Sequence, residues 1–96
     1  MKIKDLTLGM SNIVIEGVIV SKSKPKSFVS KKTGRVVRIA EAKLKDESGE
    51  ITLILWNKQI NLVNKGDRIR ITNGYVNEYR GNLQLNVSRK GSIEKI

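Results

Sequence analysis

Residues 50–64, EITLILWNKQINLVN, change their hydrophobic period half-way along. The first half alternates and predicts a strand from Glu50 to Trp56, because successive side chains of a strand point to opposite faces. Its inward face holds Ile51, Leu53 and Leu55, and its outward face holds Thr52, Ile54 and Trp56. In the second half, Ile60 and Val63 are three residues apart, which predicts a short helix capped by Asn57.

Four further segments alternate in the same way and predict strands on either side of this one. They run over Ile13–Val20, Arg35–Lys45, Arg68–Val76 and Leu83–Ser88. The polar stretch Ser21–Gly34 contains the only proline and predicts a long exposed loop. Asp46–Gly49 and Tyr79–Asn82 have the composition of hairpin turns.

Five strands with a short helix between the third and the fourth have the element order of the OB-fold, a Greek-key barrel. An SH3-like barrel is the main alternative, but it normally lacks a helix at that position. Closing the sheet removes its free edges and gives a chain of 96 residues one core. We therefore predict an all-β, five-stranded OB-fold barrel that occupies residues 1–96 as a single domain.

The ionisable residues are strongly unbalanced, with 19 Lys and Arg against 9 Asp and Glu and a net charge of +10. Cysteine and histidine are absent, which excludes disulfides, thiolate metal sites and the commonest general base. No apolar run approaches the ~20 residues of a membrane span, and the N-terminus lacks the apolar block of a signal peptide. We expect a cytoplasmic protein whose partner is rich in phosphate.

The positive charge is concentrated between Gly17 and Ala40, where no acidic residue occurs. This stretch contains seven basic residues: Lys22, Lys24, Lys26, Lys31, Lys32, Arg35 and Arg38. Most of them lie on the predicted loop between the first two strands, which borders the ligand groove of OB-folds. A surface that serves only solubility usually mixes the two signs of charge. The stretch therefore predicts phosphate contacts with a salt-dependent affinity.

Three aromatic residues lie where an OB-fold binds its ligand. Trp56 is on the outward face of the third strand, and Tyr75 and Tyr79 are near the turn between the last two strands. Aromatic rings there can stack on unpaired bases, worth roughly 1–3 kcal/mol per base. Phe28, in the predicted loop, is more readily explained by packing.

Other outward residues complete the candidate site. Arginine and polar side chains can contact phosphates or base edges, and Ile54 can contact a base or a protein. The candidates are Ile54, Arg68, Arg70, Arg80, Gln84 and Asn86. We expect no catalysis, cofactor, metal ion or small-molecule substrate. The acidic group Asp46, Glu47 and Glu50 is explained by its hairpin, and the chain lacks a phosphate-binding G-x-x-x-x-G-K-[ST] loop.

Several motifs extend over nearly the whole chain. They are Ile3-Lys4-Asp5-Leu6-x-x-Gly9-Met10, Asp46-Glu47-Ser48-Gly49-Glu50-Ile51, Leu53-x-Leu55-Trp56, Lys65-Gly66-Asp67-x-Ile69-x-Ile71 and Asn73-Gly74-Tyr75-x-x-x-Tyr79-x-Gly81-x-Leu83-x-Leu85. As a set they resemble the archaeal single-stranded-DNA-binding OB domains, including replication protein A and its single-domain relatives.

The resemblance implies single-stranded DNA binding with little sequence preference, in replication and repair. It also implies that Trp56, Tyr75 and Tyr79 stack on bases, and that partners include other OB domains or subunits of replication protein A. The chain lacks the acidic tail of single-domain members and the zinc-finger segment of some larger ones. It thus fits one module of a longer replication protein A chain.

Two alternatives remain open at this point. An RNA-binding OB domain uses the same stacking and charge but also reads base edges and 2′-hydroxyls. A protein-interaction OB subunit would bury a partner on Val18, Val20 and Ile54.

Overall fold

The computed structural model describes residues 1–96 and contains six strands and two short 3₁₀ turns. The strands are β1 (Ile13–Lys22), β2 (Lys26–Val29), β3 (Val36–Asp46), β4 (Gly49–Trp56), β5 (Arg68–Tyr79) and β6 (Asn82–Lys95). The turns span Ile3–Asp5 and Asn57–Asn61. No helix has the length and apolar composition needed to cross a membrane.

The strands form one sheet in the order β1-β5-β6-β4-β3-β2, which an additional β1–β3 pairing closes into a barrel. β4 and β6 pair in parallel, and all other neighbours are antiparallel. The predicted five-stranded OB-fold barrel is therefore confirmed, with β2 as an added sixth strand at the free edge of the sheet.

The core consists of aliphatic side chains from the inward faces of the strands. Ile15, Ile19, Leu53 and Leu85 are among the fully buried residues. Gly17 permits the close crossing of β1 and β3, since a Cβ there would lie 2.8 Å from the carbonyl oxygen of Lys45. No aromatic residue belongs to this core. The four aromatic side chains therefore all lie outside it.

The predicted loop Ser21–Gly34 is wrong in part. β1 continues to Lys22, and β2 pairs antiparallel with the start of β3, matching Phe28 with Val37 and Val29 with Val36. Aromatic and β-branched residues that face one another across two strands stabilise such a hairpin. Pro25 stands just before β2, where no ladder hydrogen bond is required of it.

The predicted helix is only a 3₁₀ turn over Asn57–Asn61, and Asn57 is not its cap. Asn57 has a φ of 51°, and its side-chain oxygen accepts the backbone N–H of Arg38 at 3.0 Å. Gln59 Oε1 instead accepts the backbone N–H of Trp56 at 3.0 Å. These two side-chain contacts hold the end of β4 in a tight turn.

Candidate nucleic-acid interface

One outer face of the barrel carries Trp56, Tyr75 and Tyr79 together with outward residues of the strands beside them. Residues paired across neighbouring strands point to the same side of a sheet, so the register identifies this face. Ile39 is paired with Trp56, Thr52 with Gln84, and Tyr75 with Asn86. We call it the front face and define it by Ile39, Glu41, Lys43, Thr52, Ile54, Trp56, Tyr75, Asn77, Tyr79, Gln84 and Asn86.

The indole of Trp56 is held in place by a chain of hydrogen bonds across three strands. Its Nε1–H donates to Asn86 Oδ1 at 3.3 Å, and Asn86 Nδ2 donates to Asn77 Oδ1 at 3.0 Å. Asn86 is only 1 % exposed. Burial and these bonds make the Asn86 amide a support for the Trp56 indole, and its contact with a base stays a prediction.

Tyr75 and Tyr79 are exposed on β5, with Tyr75 opposite Asn86, the hydrogen-bond partner of Trp56, and Tyr79 at the far end of the front face. Four residues of strand separate them, or about 13 Å at ~3.3 Å per residue. Arg80 lies over the Tyr79 ring, with its guanidinium carbon 5.2 Å from the ring centre. The front face therefore carries the three rings of Trp56, Tyr75 and Tyr79 at separate positions.

Ile54 does not have the exposure that its alternation predicts. It is on the front face, opposite Glu41, but only 3 % of it is exposed. It forms part of the floor of the face, and its contact with a ligand stays a prediction. Val18 and Val20 are half-buried. The protein-interaction alternative thus loses its central residue.

The β2–β3 hairpin borders one end of the front face and, with the residues just before it, carries six exposed basic side chains. The structure has three salt bridges, and none of them involves a residue of this hairpin. Lys26 pairs with Ile39 and therefore points to the same side of the sheet as the front face. Arg38 points to the other side of the hairpin. The exposed basic residues there are Lys24, Lys26, Lys31, Lys32, Arg35 and Arg38.

Lys22 has a different role from the other basic residues. Its Nζ donates to the carbonyl oxygen of Ile60 and, at 2.8 Å, to that of Val63. The ammonium therefore fastens the segment that follows Trp56 to the end of β1. This engagement sets Lys22 apart from the free basic residues, and its phosphate contact stays a prediction.

Arg68 and Arg70 are separated from the front face. They pair with Val18 and Glu16 of β1, on the half of β5 that precedes the irregularity between Thr72 and Gly74. Arg70 Nε donates to Glu16 Oε2 at 3.0 Å in a surface ion pair. The alternation of β5 alone could not reveal this separation, because residues 68–71 pair with β1 and with the end of β6, whereas residues 75–79 pair with the start of β6 alone.

Two further residues lie on this side of the sheet that the pattern did not assign to the candidate site. Phe28 is 46 % exposed, and its pairing with Val37 places it on the same side of the sheet as Trp56. Lys43 Nζ donates to Thr52 Oγ1 at 2.9 Å in the middle of the front face. The β-prone sequence around Phe28 and Val29 was the available signal for this placement.

The family described as "Single-stranded DNA binding protein Ssb-like, OB fold" matches residues 3–95. The single-stranded DNA binding protein Ssb of Saccharolobus solfataricus is 27 % identical over 92 residues, covering 96 % of this chain. An uncharacterised Arabidopsis thaliana protein is 30 % identical over 84 residues, covering 88 % of this chain. The chain spans 61 % of the length of the first relative and 53 % of the second.

Among solved structures, the second OB-fold domain of replication protein A from Methanococcus maripaludis superposes with a TM-score of 0.82 at 30 % identity. The alignment covers 100 % of this chain and 93 % of that domain. The OB domain of Ta0387 from Thermoplasma acidophilum gives the same TM-score of 0.82 at 24 % identity, covering 100 % and 85 % of the two chains. This second likeness supports the fold alone.

Proposed function

The chain belongs to the Ssb-like family of single-stranded-DNA-binding OB-fold proteins, and from this premise we propose that it binds single-stranded DNA on its front face. The observation that carries the proposal is the row Trp56, Tyr75 and Tyr79 on one face, beside a basic hairpin without salt bridges. Bases stack on aromatic rings whatever their identity, so the binding is largely independent of sequence.

The two kinds of contact have separate roles. The aromatic rings take bases that duplex DNA keeps stacked inside the helix, which restricts the ligand to unpaired strands. Lysine and arginine of the hairpin contact phosphates and give an affinity that falls with salt. Gln84, half-buried beside Thr52, offers an amide to base edges. A single barrel of this kind occupies about 4 nucleotides or more.

We propose a role in DNA replication and repair, in which the protein covers exposed single strands. The relative from S. solfataricus is named a single-stranded DNA binding protein, and the M. maripaludis neighbour is a domain of replication protein A. The chain then acts as one module beside other OB domains or replication protein A subunits. Linking modules raises the effective concentration of each at the strand, so the assembly binds more tightly than one barrel.

Fluorescence of Trp56, the only tryptophan, tests the proposal directly. The protein is titrated with oligo-dT, a matched DNA duplex and oligo-U at several salt concentrations. We expect quenching by oligo-dT at low salt and much weaker binding of the duplex. An absence of quenching by oligo-dT overturns the stacking mechanism, and equal affinity for the duplex leaves only a general polycation. A strong preference for oligo-U selects the RNA-binding alternative.

Replacing Trp56 separates the two contributions. Trp56→Ala removes a stacking platform and no charge, so affinity falls by roughly 1–3 kcal/mol while the salt slope stays unchanged. Because this variant has no tryptophan, binding is measured by the anisotropy of a labelled oligonucleotide. The stacking role of Trp56 is contradicted when Trp56→Ala changes the salt slope and leaves the affinity at low salt unchanged.

A further inference from the structure

Arg80 has a backbone conformation that its residue type does not favour. Eight residues of the chain have a positive φ, and seven of them are glycine or asparagine, which tolerate the left-handed region. The eighth is Arg80, with a φ of 52°, followed by Gly81 with a φ of 81°. These two residues connect β5 to β6 in a tight hairpin that favours Asn-Gly.

The unfavourable conformation places a guanidinium over an aromatic ring. The Arg80 guanidinium carbon is 5.2 Å from the centre of the Tyr79 ring, within the ~6 Å range of cation–π contacts. Tyr79 is 57 % exposed, so the pair stands open to solvent at the end of the front face. Strain that persists at such a place is commonly associated with function.

A cleft of about 550 Å³ opens beside this pair, within the ~300–1,000 Å³ range of small-ligand pockets. Its lining includes Tyr79, Arg80, Lys43, Thr52, Gln84 and Leu83. Glu41 and Glu50 also line it, and their carboxylates disfavour a phosphate inside. An uncharged base fits this lining better, with its phosphate outside the cleft near Arg80 and Lys43.

We propose that Tyr79 and Arg80 form a clamp for one unpaired nucleotide at the end of the front face. The base stacks on the face of the Tyr79 ring that Arg80 leaves open, and the planar guanidinium on the other face contacts the phosphate of that nucleotide. This inference rests on the proposed function and names the contact at the Tyr79 end of the front face. It also explains why an arginine occupies a turn position that asparagine would fill with less strain.

The test uses two substitutions of Arg80 in the full chain. The first is expected to raise stability while it lowers affinity. Arg80→Asn suits the turn and removes the guanidinium, so we expect Tm to rise by roughly 4 °C or more. Its affinity for oligo-dT falls roughly tenfold. Arg80→Lys keeps the charge but not the planar group, so its affinity also falls, with the salt slope unchanged. Lys65→Asn, an exposed charge elsewhere, is the control for charge alone.

A double-mutant cycle completes the test. If Tyr79 and Arg80 act on one nucleotide, Arg80→Asn has little further effect in a Tyr79→Ala background. Wild-type affinity in both Arg80 variants, or additive losses in the cycle, overturns the clamp while leaving the proposed function intact. Failure of the wild-type protein itself to bind oligo-dT overturns the proposed function instead.

Discussion

Trp56 and Asn86 lie on neighbouring strands of the barrel, and the indole N–H donates to the buried amide oxygen at 3.3 Å. The same amide donates to Asn77 on the next strand. Burying a polar side chain that is 1 % exposed destabilises the fold unless its hydrogen bonds are satisfied. Here the partners, Trp56 and Asn77, lie on the front face. The orientation of Trp56, a proposed stacking residue, therefore depends on a buried amide of the neighbouring strand.

Replacing Asn86 tests this dependence. Asn86→Ala leaves the Trp56 indole N–H without its partner, and we expect a loss of roughly 1–3 kcal/mol in unfolding free energy. Affinity for oligo-dT falls as well, because the indole loses its fixed orientation. Chemical denaturation and anisotropy titration measure the two effects, and Trp56 emission reports the altered indole environment.

Gln84→Ala is the matched control for Asn86, since Gln84 lies two residues away on the same face of β6. It is half-buried and has no part in the Trp56 hydrogen-bond chain. We expect little loss of stability from this variant. Equal losses of unfolding free energy from both variants would contradict the positioning role of Asn86.

Phe28 extends the row of aromatic rings onto the hairpin. It is two strands from Trp56 and on the same side of the sheet, exposed and next to basic residues. We expect Phe28→Ala to weaken oligo-dT binding by about 1 kcal/mol, near the lower end for a stacked base, with little effect on Tm. Val29→Ala, on the opposite side of the same strand, should leave affinity unchanged. Identical affinities for both variants would exclude a base on Phe28.

The basic residues divide into two classes that salt titrations can separate. Lys24 and Lys26 are exposed and outside the three salt bridges, whereas the Lys22 ammonium is bonded to two carbonyl oxygens. Each phosphate contact contributes about 0.7 to the salt slope of single-strand binding. Replacing both Lys24 and Lys26 by Ala should therefore lower that slope by about 1.4.

Lys22→Met keeps the apolar stem and removes the ammonium, so it should lower Tm and leave the salt slope unchanged. The carbonyl groups of Ile60 and Val63 lose their donor in this variant. A Lys22 variant with normal Tm and a reduced slope would place Lys22 in the phosphate-binding group.

The sequence predicted the barrel because its aliphatic alternation marks every strand of the closed sheet. It also predicted Trp56, Tyr75 and Tyr79 as outward residues, and the structure places all three on one face. Alternation reports only the side of a strand. It could not show that Ile54 and Asn86 are covered on the outer side, since their burial depends on neighbours from other strands.

The sequence pattern also could not show that β5 is divided into two halves. Arg68 and Tyr75 both point outward, but on either side of the irregularity between Thr72 and Gly74 the strand pairs with different segments of β6, and residues 68–71 also pair with β1. The role of Lys22 depends on two carbonyl oxygens about forty residues away, which no local pattern encodes.

Asp46 provides a prediction for pH, because its carboxylate joins the N-terminus to the barrel. Oδ2 accepts the backbone N–H of Ile3 at 2.9 Å, and Oδ1 accepts the Ser48 hydroxyl at 2.6 Å and the backbone N–H groups of Ser48 and Gly49. Burial by itself raises the pKa of Asp46. The hydrogen bonds from Ser48, Ile3 and Gly49 outweigh it, so the pKa lies below its usual 3.8.

A carboxyl with a lowered pKa in the folded state stabilises the fold when ionised. Its contribution is complete above the unfolded-state pKa near 3.8, and it is lost as the pH falls from there through the lower folded-state pKa. Asp46→Asn should therefore be less stable than the wild type at neutral pH, and the gap in unfolding free energy should narrow as the pH falls below about 4. Denaturation at several pH values measures this gap, with Glu47→Gln as the control. A gap that stays constant down to pH 2 would show that ionised Asp46 contributes nothing to stability.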